Sequence, residues 1–398
     1  MIDELGKNES SCRKPDDSVD GTVVAGTVVE CAKPGATSAI DAAADASAKD
    51  SAAMMETFIR GMPKVELHLH IEGTLMPELQ IQLAKRNGMM SKLRHKTVED
   101  LRGAYNFEDL AAFLNLYYEG CSVLLNEVDF YDLTAAYLEN ARRNNVRHVE
   151  IFFDPQAHTS RGVPFDAIVN GIHQALVDGE AKHGITSRLI MSFLRNLPAD
   201  DAMATLEEAL PHADKIYAVG LDSNELGNPP EKFRRVFDRA REEGGFLAVA
   251  HAGEEGPPSY IRGALDALHV ARIDHGVRCM EDPDLVQRLV EGRIPLTVCP
   301  LSNVKLRVFG SMEEHNLKDM LHRGLCVTVN SDDPAYFGGF MNDNYLETQR
   351  ALGLSRSDVV QLGCNGIEAT FLTEEKKKQL RLELDTYVNS FPASGLHE

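Results

Sequence analysis

The chain has 398 residues, 43% of them hydrophobic, and a formal charge of -20 from 41 Lys plus Arg against 61 Asp plus Glu. That apolar content suffices for one large domain or two medium ones with a buried core. The acidic balance repels a polyphosphate backbone, so nucleic acid is excluded as a partner.

Residues 1–53 are rich in Ala, Ser, Asp, Lys and Gly, almost without aromatics and without a sustained helical or strand period, which reads as a disordered or processed tail. The apolar patch Val23–Val29 is short, broken by Gly and Thr and preceded by acidic residues, so it reads neither as a signal peptide nor as a membrane span. No other stretch reaches the roughly 20 apolar residues a membrane helix needs. Seven cysteines, at 12, 31, 121, 279, 299, 326 and 364, form no CxxC pair and point to a reducing, cytoplasmic compartment.

From Met54 the texture changes, and residues 54–398 read as one domain. VELHLH (65–70) is the first strand. Successive side chains of a strand face opposite ways, so His68 and His70 share one face and Leu67 and Leu69 the other. The connection Leu75–Asn145 is too long for an ordinary βα loop and carries helical patterns such as FEDLAAFLNLYY from Phe107. Extra helices are therefore expected between the first strand and the first barrel helix, covering one barrel mouth.

The remaining β-rich runs are VRHVEIFF (146–153), SRLIMSF (187–193), KIYAVGLDS (215–223), FLAVAHAG (246–253), ARIDHG (271–276), IPLTVCPLSN (294–303) and LCVTVNSDD (325–333). Helical segments separate most neighbours and continue after Asp333 to about Ser390. Eight such units indicate an α/β fold of parallel strands closed into a (β/α)8 TIM barrel. An open doubly wound sheet would call for a Gly-rich phosphate loop after an early strand, and neither GxGxxG nor GxxxxGK[ST] occurs.

Active sites of such barrels sit at the C-terminal strand ends. Polar residues collect there: His68 and His70, His251 and Glu254, His275, Ser302 and Asn303, Asp332 and Asp333. Each has an ordinary reading alone, such as a core histidine or a turn before Pro334. Their repetition at one end of the strands points to a site. Three imidazoles and a carboxylate suit Zn2+ with a position open for water, which makes His68, His70, His251 and Asp332 the ligand set, although spacing alone leaves Asp333 as an alternative to Asp332. A metal lowers the pKa of its water toward neutrality and so makes hydroxide available as a nucleophile. His275 is the free histidine placed to orient that water or take its proton, and Glu254 is the candidate acid toward the substrate.

HLHIEGTL (68–75), HAGEEGPPSYI (251–261), RIDHGVRC (272–279), VCPLSNVKL (298–306) and VNSDDPAYFGG (329–339) together resemble the adenosine/adenine deaminase family of zinc aminohydrolases, over about residues 60–390. The resemblance implies a barrel with one zinc per chain and hydrolytic removal of the 6-amino group of a purine as ammonia. It implies His68, His70, His251 and Asp332 as zinc ligands, Glu254 as proton donor to N1, and His275 as the histidine that orients and deprotonates the zinc water. Asp333 is implied to hydrogen-bond the purine near N7 and the attacking water. The deaminase class that binds zinc through HxE and PCxxC is excluded, because no PCxxC follows His70-Ile71-Glu72.

Within the family, GLDSNELGNPPEKF (220–233), FLNLYYEG (113–120) and DDPAYFGGFMNDNY (332–345) resemble the branch that acts on the free base rather than the nucleoside. Glu72 and the loop at 222–225 are expected to fill the space a ribose would take. The alternatives are a nucleoside deaminase and, in a different class, a zinc-binding protein without catalysis. The expected partner is a small purine; no membrane partner is expected, and oligomeric state is not legible in the sequence.

Overall fold

The β-rich runs form eight parallel strands in the computed structural model, which describes residues 50–107 and 110–392. They are β1 (Lys64–Glu66), β2 (Val146–Phe153), β3 (Thr186–Leu194), β4 (Ala218–Asp222), β5 (Leu247–Ala252), β6 (Arg272–His275), β7 (Pro295–Val298) and β8 (Cys326–Val329). Their order in the sheet is their order in the chain, as a barrel requires. Closure falls beyond the regular strands. His70 N–H donates to the Asp332 carbonyl (3.1 Å) and Asp332 N–H to the His68 carbonyl (3.1 Å), which brings the continuation of β1 alongside that of β8.

β1 is shorter than the run VELHLH suggested, ending at Glu66. The next residue, Leu67, donates its N–H to the Asn330 side chain (2.8 Å) instead of to a strand carbonyl. A side chain thus replaces a ladder bond just past the end of β1.

Apolar side chains fill two layers. The larger lies between barrel and helices, and a small cluster of Phe152, Ile190, Ala218 and Val249 fills the barrel interior. Residues 1–49 of the expected tail lie outside the described residues. Residues 50–53, counted with that tail, instead open a helix over 50–61 that buries Met55, Phe58 and Ile59, an amphipathic spacing. Among the described residues no helix is long and apolar enough to cross a membrane.

The long first connection is helical, as expected, with helices at Pro77–Arg86, Val98–Ala104, Leu110–Cys121 and Glu127–Arg143. The helix Leu110–Cys121 lies across the mouth and packs Phe113 and Tyr117 on Tyr336 and Phe337, which follow β8. Gly120 permits this approach, since a Cβ there would stand 2.4 Å from the Tyr336 hydroxyl.

Candidate active site

Each site residue owes its position to where its strand stops. His68 and His70 ride the bridged extension of β1, with Phe152 N–H donating to the Leu69 carbonyl (2.8 Å) between them. His251 lies in β5 opposite Asp274, and His275 ends β6. Ser223, His275 and Asp332 have φ of 71°, 63° and 62°, left-handed values that L-residues adopt at a cost. That backbone turns strand ends inward. Strain at three site residues is the pattern expected where function fixes geometry.

His68, His70, His251 and Asp332 bring one ligand atom each within 4.8 Å of one another, all buried. His68 Nε2 is 3.4 Å and His70 Nε2 3.6 Å from Asp332 Oδ1, and the Nε2 atoms of His70 and His251 are 3.2 Å apart. The opposite ring nitrogens have their own partners. His68 Nδ1 donates to the Thr297 carbonyl (3.1 Å), His251 Nδ1 donates to the Leu221 carbonyl (3.1 Å), and His70 Nδ1 faces Asp222 at 3.6 Å. Such outer contacts fix tautomers, leaving the three Nε2 lone pairs converging on one point. Lone pairs that close repel each other unless a cation lies between them, and His68 Nε2 has no hydrogen-bond partner. Three imidazole nitrogens and one carboxylate oxygen with these supports fit a divalent transition metal. The residues form a buried metal site. His68, His275, Cys299 and Asp332 also lie within mutual reach, but burial pushes the Cys299 thiol well up, with Asp332 adding to it, which disfavours the thiolate a metal takes.

His275 sits beside this cluster, its Nε2 3.6 Å from Glu254 Oε1 and 3.7 Å from Asp332 Oδ2. Burial, and then His68, pushes its pKa down to about 3, so the ring is neutral. Its tautomer follows from a chain of hydrogen bonds. Leu317 N–H donates to His315 Nδ1 (3.0 Å), so neutral His315 donates from Nε2 to Asn303 Oδ1 (3.2 Å). The Asn303 amide then donates to His275 Nδ1 (3.2 Å), and the His275 proton resides on Nε2, toward the site.

Burial, followed by the charge of Asp332, raises the Glu254 carboxyl well above its usual range, which favours its proton-bearing form. Asp333 is raised well above its range for the same two reasons. Gly73 lets it in: a Cβ there would overlap the Asp333 carboxyl. Burial also opposes ionisation of Asp332, yet the His68 imidazole 3.4 Å away, itself raised by that carboxylate when no cation lies between them, holds it well below its range. One buried pocket therefore sets a carboxyl shifted down, Asp332, beside Glu254 and Asp333 shifted up, the separation of roles that acid–base chemistry needs.

The cavity over these groups is lined by His70, His251, Glu254, His275, Asp332 and Asp333, whereas His68, Ser302 and Asn303 are buried and do not line it. Sequence reasoning placed the lid helix and the 222–225 loop here but missed Asp154. Leu110, Phe113, Leu114, Tyr117 and Tyr118 of the lid helix form the roof, and Asp154 and Asp222 one wall. Asp154 directly follows β2 and was open to the same strand-end argument that found the others. The lid was found by its helical pattern, not by a strand end. Glu72, expected in the pocket, is buried outside it; its Oε1 accepts from Asp154 N–H (3.1 Å) and His158 Nε2 (2.9 Å). Burial and Glu72 raise Asp154 to about 8, and burial and Asp154 raise Asp222 well above its range.

Comparison with known proteins follows the same lines. The family model described as "Adenosine deaminase" matches residues 63–387. An adenine deaminase of Chlorobium phaeobacteroides is 61% identical over 333 residues, covering 84% of this chain and 98% of that protein. An adenine deaminase of Hahella chejuensis is 55% identical over 84% of this chain and 100% of its own length. The crystal structure of adenine deaminase from Arthrobacter aurescens superposes with a TM-score of 0.81 at 51% identity, covering 83% of this chain and 100% of that one. An amidohydrolase from Burkhoderia ambifaria, solved with bound Zn, gives a TM-score of 0.77 at 28% identity over 85% of this chain and 95% of that one.

Proposed function

From the premise that the chain belongs to the adenosine deaminase family, we propose that it is an adenine deaminase: a hydrolase that converts adenine and water to hypoxanthine and ammonia. The observation that carries this reading is the buried His68, His70, His251 and Asp332 cluster with buried Glu254, its carboxyl shifted toward the proton-bearing form, at the same cavity. One zinc ion per chain is the metal we assign, in keeping with the nitrogen-rich donor set. When bound, zinc supplies Lewis acidity that brings the pKa of water toward neutrality.

The chain's own residues do the rest. Glu254 holds a proton on its carboxyl and donates it to N1, which makes C6 electrophilic and prepares the amino group to leave. His275 holds its proton at Nε2 and orients the attacking water by donating to its oxygen. To take that water's proton at Nε2, the ring must first give up this tautomer, which the Asn303 amide favours. Asp333 hydrogen-bonds the purine near N7 and the water, and the lid helix excludes bulk solvent.

Adenine over adenosine is supported by the Asp154 and Asp222 wall beside His70. Asp222 Oδ1 and Asp154 Oδ1 have no hydrogen-bond partner, although both residues line the cavity, while Asp222 Oδ2 faces His70 Nδ1 at 3.6 Å. A free base carries an imidazole N–H that these acceptors suit; a nucleoside carries a sugar there and leaves them unpaired, a mismatch that can reach about 10⁴-fold in discrimination. The described cysteines, Cys121, Cys279, Cys299, Cys326 and Cys364, are free and buried, in keeping with a cytoplasmic enzyme.

The test is zinc-loaded protein offered adenine and adenosine side by side with ammonia measured. Adenine should have a kcat/KM at least about 10²-fold higher. Equal or better turnover of adenosine overturns the substrate assignment, and release from neither overturns the enzyme reading.

A further inference from the structure

The loop that carries Glu254 is irregular, yet it is held by one side chain from a neighbouring strand end. Glu225, three residues past β4, is 1% exposed and has no place in the chemistry above. Its Oε1 accepts from Gly253 N–H (2.7 Å), and its Oε2 accepts from the N–H groups of Glu254 (3.1 Å), Glu255 (2.9 Å) and Gly256 (2.7 Å). Four consecutive backbone donors, all but that of Glu255 in buried residues, converge on a single carboxylate.

Such a concave run of N–H groups is an anion receptor, and charge-assisted bonds to it are about twice as strong as neutral ones. The two glycines of HAGEEG follow from this arrangement. Gly253 has φ +73°, and a Cβ on Gly256 would stand 2.4 Å from Glu225 Oε1. The loop's carbonyls are tied from another side, where Arg278 N–H donates to the Gly253 carbonyl (3.0 Å) and its guanidinium to that of Glu255.

We infer that Glu225 is a positioning residue for Glu254: its carboxylate clamps the 253–256 backbone so that the Glu254 carboxyl enters the cavity beside His275 Nε2. Its negative charge, close by, also favours the proton-bearing form of Glu254. The inference rests on Glu254 being the proton donor. A glutamine at 225 keeps the shape but turns one acceptor into an NH2 group, which can accept none of these bonds.

The test is a double-mutant cycle on the zinc-loaded full chain with adenine as substrate, comparing Glu225→Gln, Glu254→Gln and the double variant, with zinc content measured for each. Glu225→Gln should lower kcat about 10- to 10²-fold with KM within about threefold and zinc retained. In the Glu254→Gln background the same change should cost less than about twofold, because its effect passes through a carboxyl already removed. An equal loss in both backgrounds means general loosening and overturns the inference, as does a kcat within about twofold of wild type for Glu225→Gln. Near-normal turnover of Glu254→Gln overturns the acid assignment itself and the clamp with it. Should Glu225→Gln fail to fold, Gly256→Ala, which presses on the clamp without removing charge, must show the same dependence on Glu254 for the inference to stand.

Discussion

The two ends of the barrel interior bury charge in opposite ways. At the N-terminal end, Glu150 and Arg272 are fully buried and 2.5 Å apart. The second Glu150 oxygen accepts from Phe371 N–H (2.5 Å) and faces His148 Nε2 at 3.2 Å, while Arg272 also donates to the Leu67 carbonyl (3.1 Å) and lies over the Phe371 ring, its Nε alone lacking a hydrogen bond and facing Asp274 at 3.5 Å. At the C-terminal end, His68 Nε2, Asp154 Oδ1, both Asp222 oxygens, Glu254 Oε1 and Asp333 Oδ1 have no hydrogen-bond partner. An unpaired buried polar group costs roughly 1–3 kcal/mol, more for a charge. A chain that satisfies Glu150 so completely at one end and leaves six atoms open at the other has kept the second set for a metal and a substrate.

The largest effect expected is at the open end. His251→Ala removes one of three converging nitrogens and should lose both metal and turnover while staying folded, checked by elemental analysis and ammonia release. Full zinc content would break the comparison. Next, Glu254→Gln should keep metal and fold while kcat falls by about 10² to 10⁴; undiminished turnover would make Glu254 a turn residue.

Stability sharpens the contrast. Arg272→Met leaves Glu150 buried without its cation and should cost about 3–5 kcal/mol in denaturant unfolding. Asp154→Asn, at the open end, should change stability by less than about 1 kcal/mol while raising KM for adenine. Equal costs for the two would mean that both ends are structural.

The smallest effect concerns Lys64, whose ammonium donates to the Ile59 and Met62 carbonyls. Burial, then Arg147 and Arg60, lowers its pKa from 10.5 to about 7. Between those values the unfolded chain holds the proton and the folded chain does not, so this group makes stability rise with pH across that window. Relative to Lys64→Met, the wild type should gain about 1 kcal/mol per pH unit between pH 7 and pH 9. Parallel profiles would show that Lys64 keeps its charge.

Much of this was legible in the sequence because barrel strands announce themselves as β-branched runs and their C-terminal ends carry the chemistry. The set from His68 to Asp333 was found that way, and the structure brings it together. Other features lacked a local signal. His315 reaches His275 through Asn303 from a segment that is no strand end, and period-2 alternation marks a residue's face without telling barrel interior from outer wall, so Arg272 and Glu150 did not stand out as a pair. Glu72 looked like a pocket residue because it follows His70 by two, but the turn Glu72–Thr74 aims it at His158 instead. Glu225 was visible only as part of a bulky loop, since its partners are backbone N–H groups that have no sequence signature.

The central claim, that the open end is built for one metal ion and a purine base, is tested most directly by stripping the protein with a chelator and titrating zinc back while ammonia release from adenine is followed. Activity should rise linearly and level off at about one equivalent of zinc per chain. Ammonia release that is independent of zinc, or absent at every zinc level, would contradict it.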